Sequence, residues 1–332
     1  MQSMATCLPF PDTLSMIGVS MQATSRPKRF FDSFISYAFY PLLLAATLLL
    51  FAASVLKGWN LATVFAWIAG VRFALLLAVE FLHPARTEWR MTWLSFWRDL
   101  KYMAVNGGTA GALKFGLGWL ALDLSRLNTG LVTGMPAAVE FLAVLLTFEF
   151  FQYWYHRISH EPRGPMSTWL WKLHVAHHLP DKVYLLMHPV GHPLNFIVSL
   201  AIVQVPLVTL GARPETLFLF NALMGLQGLV SHFNVNIKAG PLNYLLVGAE
   251  LHRFHHSAKL DEAKNFGVLT PFWDLVFGTF RYDSKRLPEA LGVVDPQLYP
   301  ASTDIGSVLM LPFRPKANRQ IAPPPAARPL PD

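Results

Sequence analysis

The sequence predicts an all-α protein: a multi-pass membrane bundle of about four to six helices with a histidine-rich cap on its cytoplasmic side. Three observations carry this. Its 332 residues are 53% hydrophobic and only 14% charged, a balance that excludes disordered and fibrous chains and sets it apart from ordinary soluble enzymes. Several stretches approach the ~20 apolar residues that a helix needs to cross a hydrocarbon layer roughly 30 Å thick. Eleven of the 12 histidines lie between residues 156 and 256.

Residues 1–33 read as a loose cytoplasmic lead-in, because no compact apolar run follows a basic start and Arg26, Lys28 and Arg29 stand just before the first span. The N-terminal membrane region, 34–135, holds three candidate spans. Tyr37 to Leu56 has no charge and is the clearest; Leu61 to Leu82 carries Arg72 and Glu80; Ala104 to Leu122 is glycine-rich and contains Lys114. A fourth span runs from Ala137 to about Tyr155 with Glu140 and Glu149 inside it. Leu194 to Leu210 and Leu217 to Val230 are uncharged and short, and the turn residues Gly211-Ala212-Arg213-Pro214 between them predict a hairpin. Residues 136–282 read as the catalytic domain, and 283–332 as a cytoplasmic extension, proline-rich and disordered after about 314.

Charge orients this layout. With a cytoplasmic N-terminus, the segments 1–36, 83–103, 156–193 and 231–332 hold 22 of the 27 basic residues, as cytoplasmic loops do. The net charge of +7 is then a topology signal, and nucleic-acid binding is not expected. A single cysteine, Cys7, excludes a disulfide framework, a four-cysteine zinc site and an iron–sulfur cluster held by this chain alone. Any metal must be held by imidazole or oxygen.

The histidine spacing supplies such ligands. His156 and His160, in HRISH, lie four apart; His174, His177 and His178, in HVAHH, read i, i+3, i+4; His252, His255 and His256, in HRFHH, repeat that pattern. Each set shares one face of a helix. Between His178 and His252 the chain makes one hairpin through the membrane, so the three sets converge at one depth, where His232 ends the last span. Nine imidazoles exceed the needs of one ion and suit two, each with four or five ligands. Neutral imidazole suits iron, copper, nickel and zinc. Glu149, Glu161, Glu250 and Asp274 are candidates to offset the cations' charge from outside the ligand set. His83, before Pro84, reads as structural, and His188 as structural or substrate-facing. A zincin is excluded because H-E-x-x-H is absent. A bis-histidine haem protein has no use for adjacent pairs such as His177-His178. A histidine-rich metal transporter is the alternative of another class.

These residues resemble the fatty acid hydroxylase and sterol desaturase superfamily, the membrane-bound di-iron oxygenases, over about residues 140 to 282. The resemblance rests on the three histidine sets and on a closing block that here comprises Asn265, Phe266, Gly267, Trp273, Asp274, Phe277, Gly278 and Thr279. It implies two iron ions held by the eight motif histidines and His232. His192, in a His-Pro pair, becomes a candidate tenth group near the substrate, and Asn236, four residues after His232, a candidate with water to complete the site. The implied chemistry is O2-dependent hydroxylation of an unactivated C–H bond of a lipid, in an acyl chain or a headgroup, with sterol or acyl-lipid desaturation as the alternative outcome. Trp154, Trp169, Trp171 and Phe254 read as core or interface anchors before they read as lining of a lipid passage. The sequence shows no nucleotide-binding glycine motif and no cysteine set, so electrons must come from a separate ferredoxin or haem cytochrome with its reductase. The basic loop with Arg86, Arg90, Arg98 and Lys101 is read first as topology and second as a dock for an acidic carrier. A bacterial inner membrane is expected in preference to the endoplasmic reticulum.

Overall fold

The computed structural model describes residues 26–119, 129–161 and 163–314; most of the lead-in, the end of the third expected span and the proline-rich tail lie outside the described residues. Helix α1 (Arg26–Phe34) passes through one π turn (Ile35–Phe39) into α2 (Tyr40–Leu56). Then follow α3 (Leu61–Leu82), α4 (Trp93–Trp119), α5 (Ala137–His160), α6 (Pro165–His178), α7 (Pro193–Leu210) and α8 (Pro214–Ser231). Three short helices close the chain: α9 (Ala249–His255), α10 (Phe272–Val276) and α11 (Ile305–Leu309). The described residues contain no strand, only isolated bridges such as Pro84 with Val235.

Among the described residues, four helices are long and apolar enough to cross a membrane: Phe30–Leu56, Leu61–Leu82, Ala137–His160 and Pro193–Leu210. Their outward faces are large and apolar, with Leu49, Leu56, Trp67, Phe81 and Leu82 all strongly exposed, a surface that water would penalise and lipid accepts. The chain is therefore a multi-pass membrane bundle. Arg72, Glu80, Glu140 and Glu149, charges inside the expected spans, turn inward. Arg72 of α3 donates to the Ala222 carbonyl at 2.8 Å and lies over Gly225, where a Cβ would come within 2.7 Å of its guanidinium. Glu80 accepts from the backbone N–H groups of Leu185 at 2.9 Å and Asn234 at 2.7 Å. Glu140 pairs with Arg213 at 2.7 Å across the α7–α8 turn, where Gly211 takes the left-handed φ of 70° that ends α7.

One boundary differs from the sequence expectation. Helix α4 starts at Trp93, inside what reads as a cytoplasmic loop, because its charges are satisfied in the protein. Arg98 pairs with Asp99 at 2.7 Å and donates to the Tyr184 hydroxyl at 2.7 Å, and both side chains are buried. Arg98 is thus taken up by the cap and is not a docking charge. Helix α5 is the centre of the bundle, packed against α6, α7 and α8, while α8 also contacts α2, α3 and α9. The last turns of α5 and α8 meet α6 and α9 in one layer, and the segment around Leu291, Val308 and Leu311 folds back over α6 with Val175 and Ala176.

Candidate metal centre

The structure gathers nine histidines into two groups. His156, His160, His174, His178 and His255 form one, and His177, His232, His252 and His256 the other; within each, one ring nitrogen per residue lies within 4.8 Å of every other. The helical spacing deals alternate members of each H-x2-HH set to the two groups, while His156 and His160 of α5 both face the first. On α6, His174 and His178, one turn apart, face the first group and His177 the second; on α9 and its C-cap, His252 and His256 face the second and His255 the first. His178 and His256 stack at 4.4 Å between ring centroids and join the two groups.

Within the groups the imidazoles approach one another through Nε2: His156 to His174 at 3.1 Å, His174 to His178 at 3.1 Å, His177 to His232 at 3.1 Å, His232 to His252 at 3.0 Å and His252 to His256 at 3.0 Å. Backbone carbonyls decide the tautomer in four rings. Nδ1–H of His156 donates to Phe266 at 2.8 Å, that of His177 to Val190 at 2.8 Å, that of His255 to Lys264 at 2.9 Å and that of His232 to Gly228 at 3.2 Å. Each leaves an Nε2 lone pair aimed at the group's centre. Lone pairs converging at such distances repel, and His160 Nε2 and His255 Nε2 are buried without a partner. A divalent cation in each group resolves both costs, so the donor set fits two metal ions, with borderline metals such as iron favoured over magnesium or calcium by the all-nitrogen chemistry. Burial, and after it the repulsion of neighbouring rings, holds His178, His252 and His256 well below the usual imidazole range, in the neutral state that ligation requires.

The carboxylates expected to offset charge hold backbone N–H groups and neighbouring side chains instead. Asp274 is fully buried and accepts from the N–H of Phe266 at 2.8 Å, the N–H of Gly267 at 2.8 Å and the Thr279 hydroxyl at 2.6 Å. Glu149 takes the N–H groups of Val268, Leu269 and Thr270. Glu250 takes Ala239 N–H at 2.7 Å and the Asn243 amide at 2.8 Å, and Glu161 pairs with Arg157 at 3.2 Å and Lys264 at 3.3 Å. The closing block is thus a scaffold. Asn265 adopts φ 60°, a left-handed conformation that asparagine tolerates, and its amide bonds Leu251 O at 2.9 Å and Arg281 O at 2.8 Å. This turn brings the Lys264 and Phe266 carbonyls to His255 and His156.

Two candidates stand apart from the groups. Asn236 is exposed and lines a hollow with His83 and Arg86, because the chain after α8 pairs Val235 with Pro84 and turns the next side chain outward. His192 lines the main cavity, but both ring nitrogens are engaged: Nδ1 accepts from Leu194 N–H at 3.0 Å as the cap of α7 and Nε2 donates to Leu309 O at 3.0 Å. It orders the wall and has no lone pair left for a metal. His83 meets Asp32 at 3.3 Å, in keeping with a structural role. His188, which lies outside the three spaced sets and reads as structural or substrate-facing, is on the cavity wall. It faces the cavity, its Nδ1 is 3.3 Å from His232 Nδ1, and Gly228 is the position that admits it, since a Cβ there would lie 2.8 Å from its ring.

A cavity of about 690 Å³ between α4, α5, α7 and α8 reaches His156, His174, His177, His232 and His252. A smaller one of about 350 Å³ meets His160, His178 and His255 from another side, beside Trp171 and Tyr299. Trp171 donates to the Tyr299 hydroxyl at 3.0 Å, whereas Phe254 is buried and Trp169 packs with Tyr155, Leu170 and Leu173.

Residues 141–279 match the family model of the fatty acid hydroxylases. This segment resembles a fatty acid hydroxylase domain. It contains both histidine groups and the scaffold that holds them. An ornithine lipid hydroxylase from Rhizobium tropici is 31% identical over 172 residues, 52% of this chain and 46% of that protein. A methylsterol monooxygenase from Arabidopsis thaliana is 23% identical over 180 residues, 51% of this chain and 57% of that protein. A human alkylglycerol monooxygenase is 27% identical over 155 residues, 44% of this chain and 31% of that protein. The chain thus spans about half the length of the first of these relatives. No solved structure matches.

Proposed function

We propose that the chain is a membrane-bound non-haem di-iron oxygenase that uses O2 and two electrons to hydroxylate an unactivated C–H bond of a lipid. The observation that carries the reading is the division of nine histidines into groups of five and four at the end of a cavity whose walls are membrane helices. Two iron ions held by these groups would supply O2 activation. The protein's share is to hold the Nε2 lone pairs through carbonyl-fixed tautomers, to keep bulk water away by burial, and to aim one substrate carbon at the histidine layer. All three relatives named above are hydroxylases or monooxygenases, two of them of lipids named as ornithine lipid and alkylglycerol. The catalytic domain spans 136–282. The basic loops favour a cytoplasmic side for the histidine layer, the Rhizobium relative supports a bacterial inner membrane, and a separate ferredoxin or cytochrome with its reductase would deliver the electrons.

Purified protein is expected to hold two irons per chain, and lipid from cells with the gene to gain one oxygen relative to cells without it. Loss of two hydrogens would assign desaturation instead. If His174→Ala and His255→Ala leave both iron content and lipid mass change intact, the di-iron reading fails.

A further inference from the structure

Each histidine group has one half-buried member, and the two face different cavities. In the group of five it is His160, on the wall of the smaller cavity; in the group of four it is His177, on the wall of the larger one. The smaller cavity touches the group of five alone, through His160, His178 and His255. The rings of His178 and His255 each lie 4.6 Å from that of His160 between centroids, and Nε2 of His160 and of His255 is buried without a partner. Trp171 packs against His160 at 5.2 Å between centroids, with its indole N–H tied to the Tyr299 hydroxyl at 3.0 Å, so the wall beside His160 is fixed. Of the lining residues described, only His160, the last of α5, belongs to a helix long and apolar enough to cross a membrane. Leu260 and Val294, both exposed, carry the cavity to the surface. The larger cavity is instead lined from α5 and α7, two of the four such helices.

A metal ion must exchange its water shell for protein ligands a few at a time, because a cation stripped of water before it gains replacements is costly to bury. The smaller cavity offers such a sequence. Asp295, next to Val294, lies in its wall, and a carboxylate there attracts a divalent cation. The larger cavity has no carboxylate among its described lining residues. Resting on the two-metal reading of the centre, we infer that the smaller cavity is the loading port of the group of five. A hydrated divalent ion enters past Asp295, is held first by the half-buried His160, and passes to His178 and His255. His156 and His174, which face the larger cavity, complete the set from the far side. The group of four fills separately, through His177.

Uptake of Co2+, an optical stand-in for ferrous ion, is followed by stopped-flow absorbance on the metal-free full chain in detergent. The wild type is expected to bind two ions. Ala263→Trp, which fills the smaller cavity from its wall, should delay one ion and leave the other at the wild-type rate. Leu260→Cys, in a Cys7→Ser background that removes the single native cysteine, plugs the rim reversibly: a bulky disulfide label delays one ion, and its removal by a phosphine restores the rate on the same folded chain. In His232→Ala, which keeps the group of five, the label should delay all uptake. Asp295→Asn should slow the same ion by about threefold at low ionic strength and less at high. Unchanged uptake in both plugged proteins, with two ions bound, overturns the port and leaves the metal centre standing. Equal delay of both ions overturns the separate routes, and a wild type that binds no Co2+ overturns the two-metal reading itself.

Discussion

Replacing Asp274 by asparagine tests whether the metal centre is held from behind. The amide has the outline of the carboxylate, so packing is kept and hydrogen bonding changes. Oδ1 can still accept from Phe266 N–H and Thr279 Oγ1–H, but Nδ2 then points a donor at Gly267 N–H, which lay 2.8 Å from the lost oxygen. One bond to a charged acceptor, worth about 1.5–3 kcal/mol, becomes a donor–donor contact, and the buried Gly267 N–H is left unpaired; together they cost about 2–4 kcal/mol. The turn cannot relax at Gly267, where even a Cβ would sit 3.0 Å from the Asp274 carboxylate. The strain falls on the Phe266 carbonyl, which fixes His156. Loss of such an outer support lowers metal affinity by about 10–100-fold. The assay is iron content by mass spectrometry after dialysis against graded chelator, alongside thermal unfolding. Asp274→Asn should release iron at roughly tenfold lower chelator and unfold at lower temperature. Unchanged metal retention with a lowered unfolding temperature would refute the link from Asp274 to His156, and no change in either would refute the clamp itself.

Two further outcomes follow from the geometry. His232 belongs to the group of four and touches none of the group of five, so His232→Ala should reduce bound metal from two ions to one and leave the remaining ion's retention near that of the wild type; loss of both would show that the groups are one unit. The metal-free protein should lose stability in acid. Its folded histidines, including His178, His252 and His256, lie below the ordinary value of 6.5 through burial, so the unfolded chain binds more protons below that pH. The stability they contribute is complete above about pH 6.5 and falls as the pH drops further. Thermal unfolding from about pH 8 to about pH 5 reads this directly, and a flat profile would contradict it.

The ligand supply was legible because i, i+3, i+4 spacing fixes a helix face without knowledge of the rest of the chain. The pairing into five and four was not, since His156 and His255 meet only through the packing of α5 beside α9 and the turn at Asn265. The carboxylates were legible as important but not in their role. Glu80 bonds N–H groups at positions 185 and 234, and no local pattern announces which distant loop a buried carboxylate will hold. His188 reads as structural or substrate-facing, and its place on the cavity was hidden for the same reason: it is set by the missing side chain of Gly228 on another helix. The start of α4 was misplaced because Arg98 and Asp99 look like loop charges until Tyr184 is beside them.

The carbonyls that orient the rings also set an order of assembly. The ligands of both groups run from residue 156 to residue 256, yet His255 and His156 are aligned by Lys264 and Phe266, and that turn is braced by Asp274 and Arg281. During synthesis helices α5 to α8 are complete before any of these braces exists. The group of five therefore has His156 and His255 aligned only once the chain has passed residue 281, whereas the group of four, oriented by the Val190 and Gly228 carbonyls, is complete at residue 256, so a metal ion would be held by the two groups at different points of synthesis.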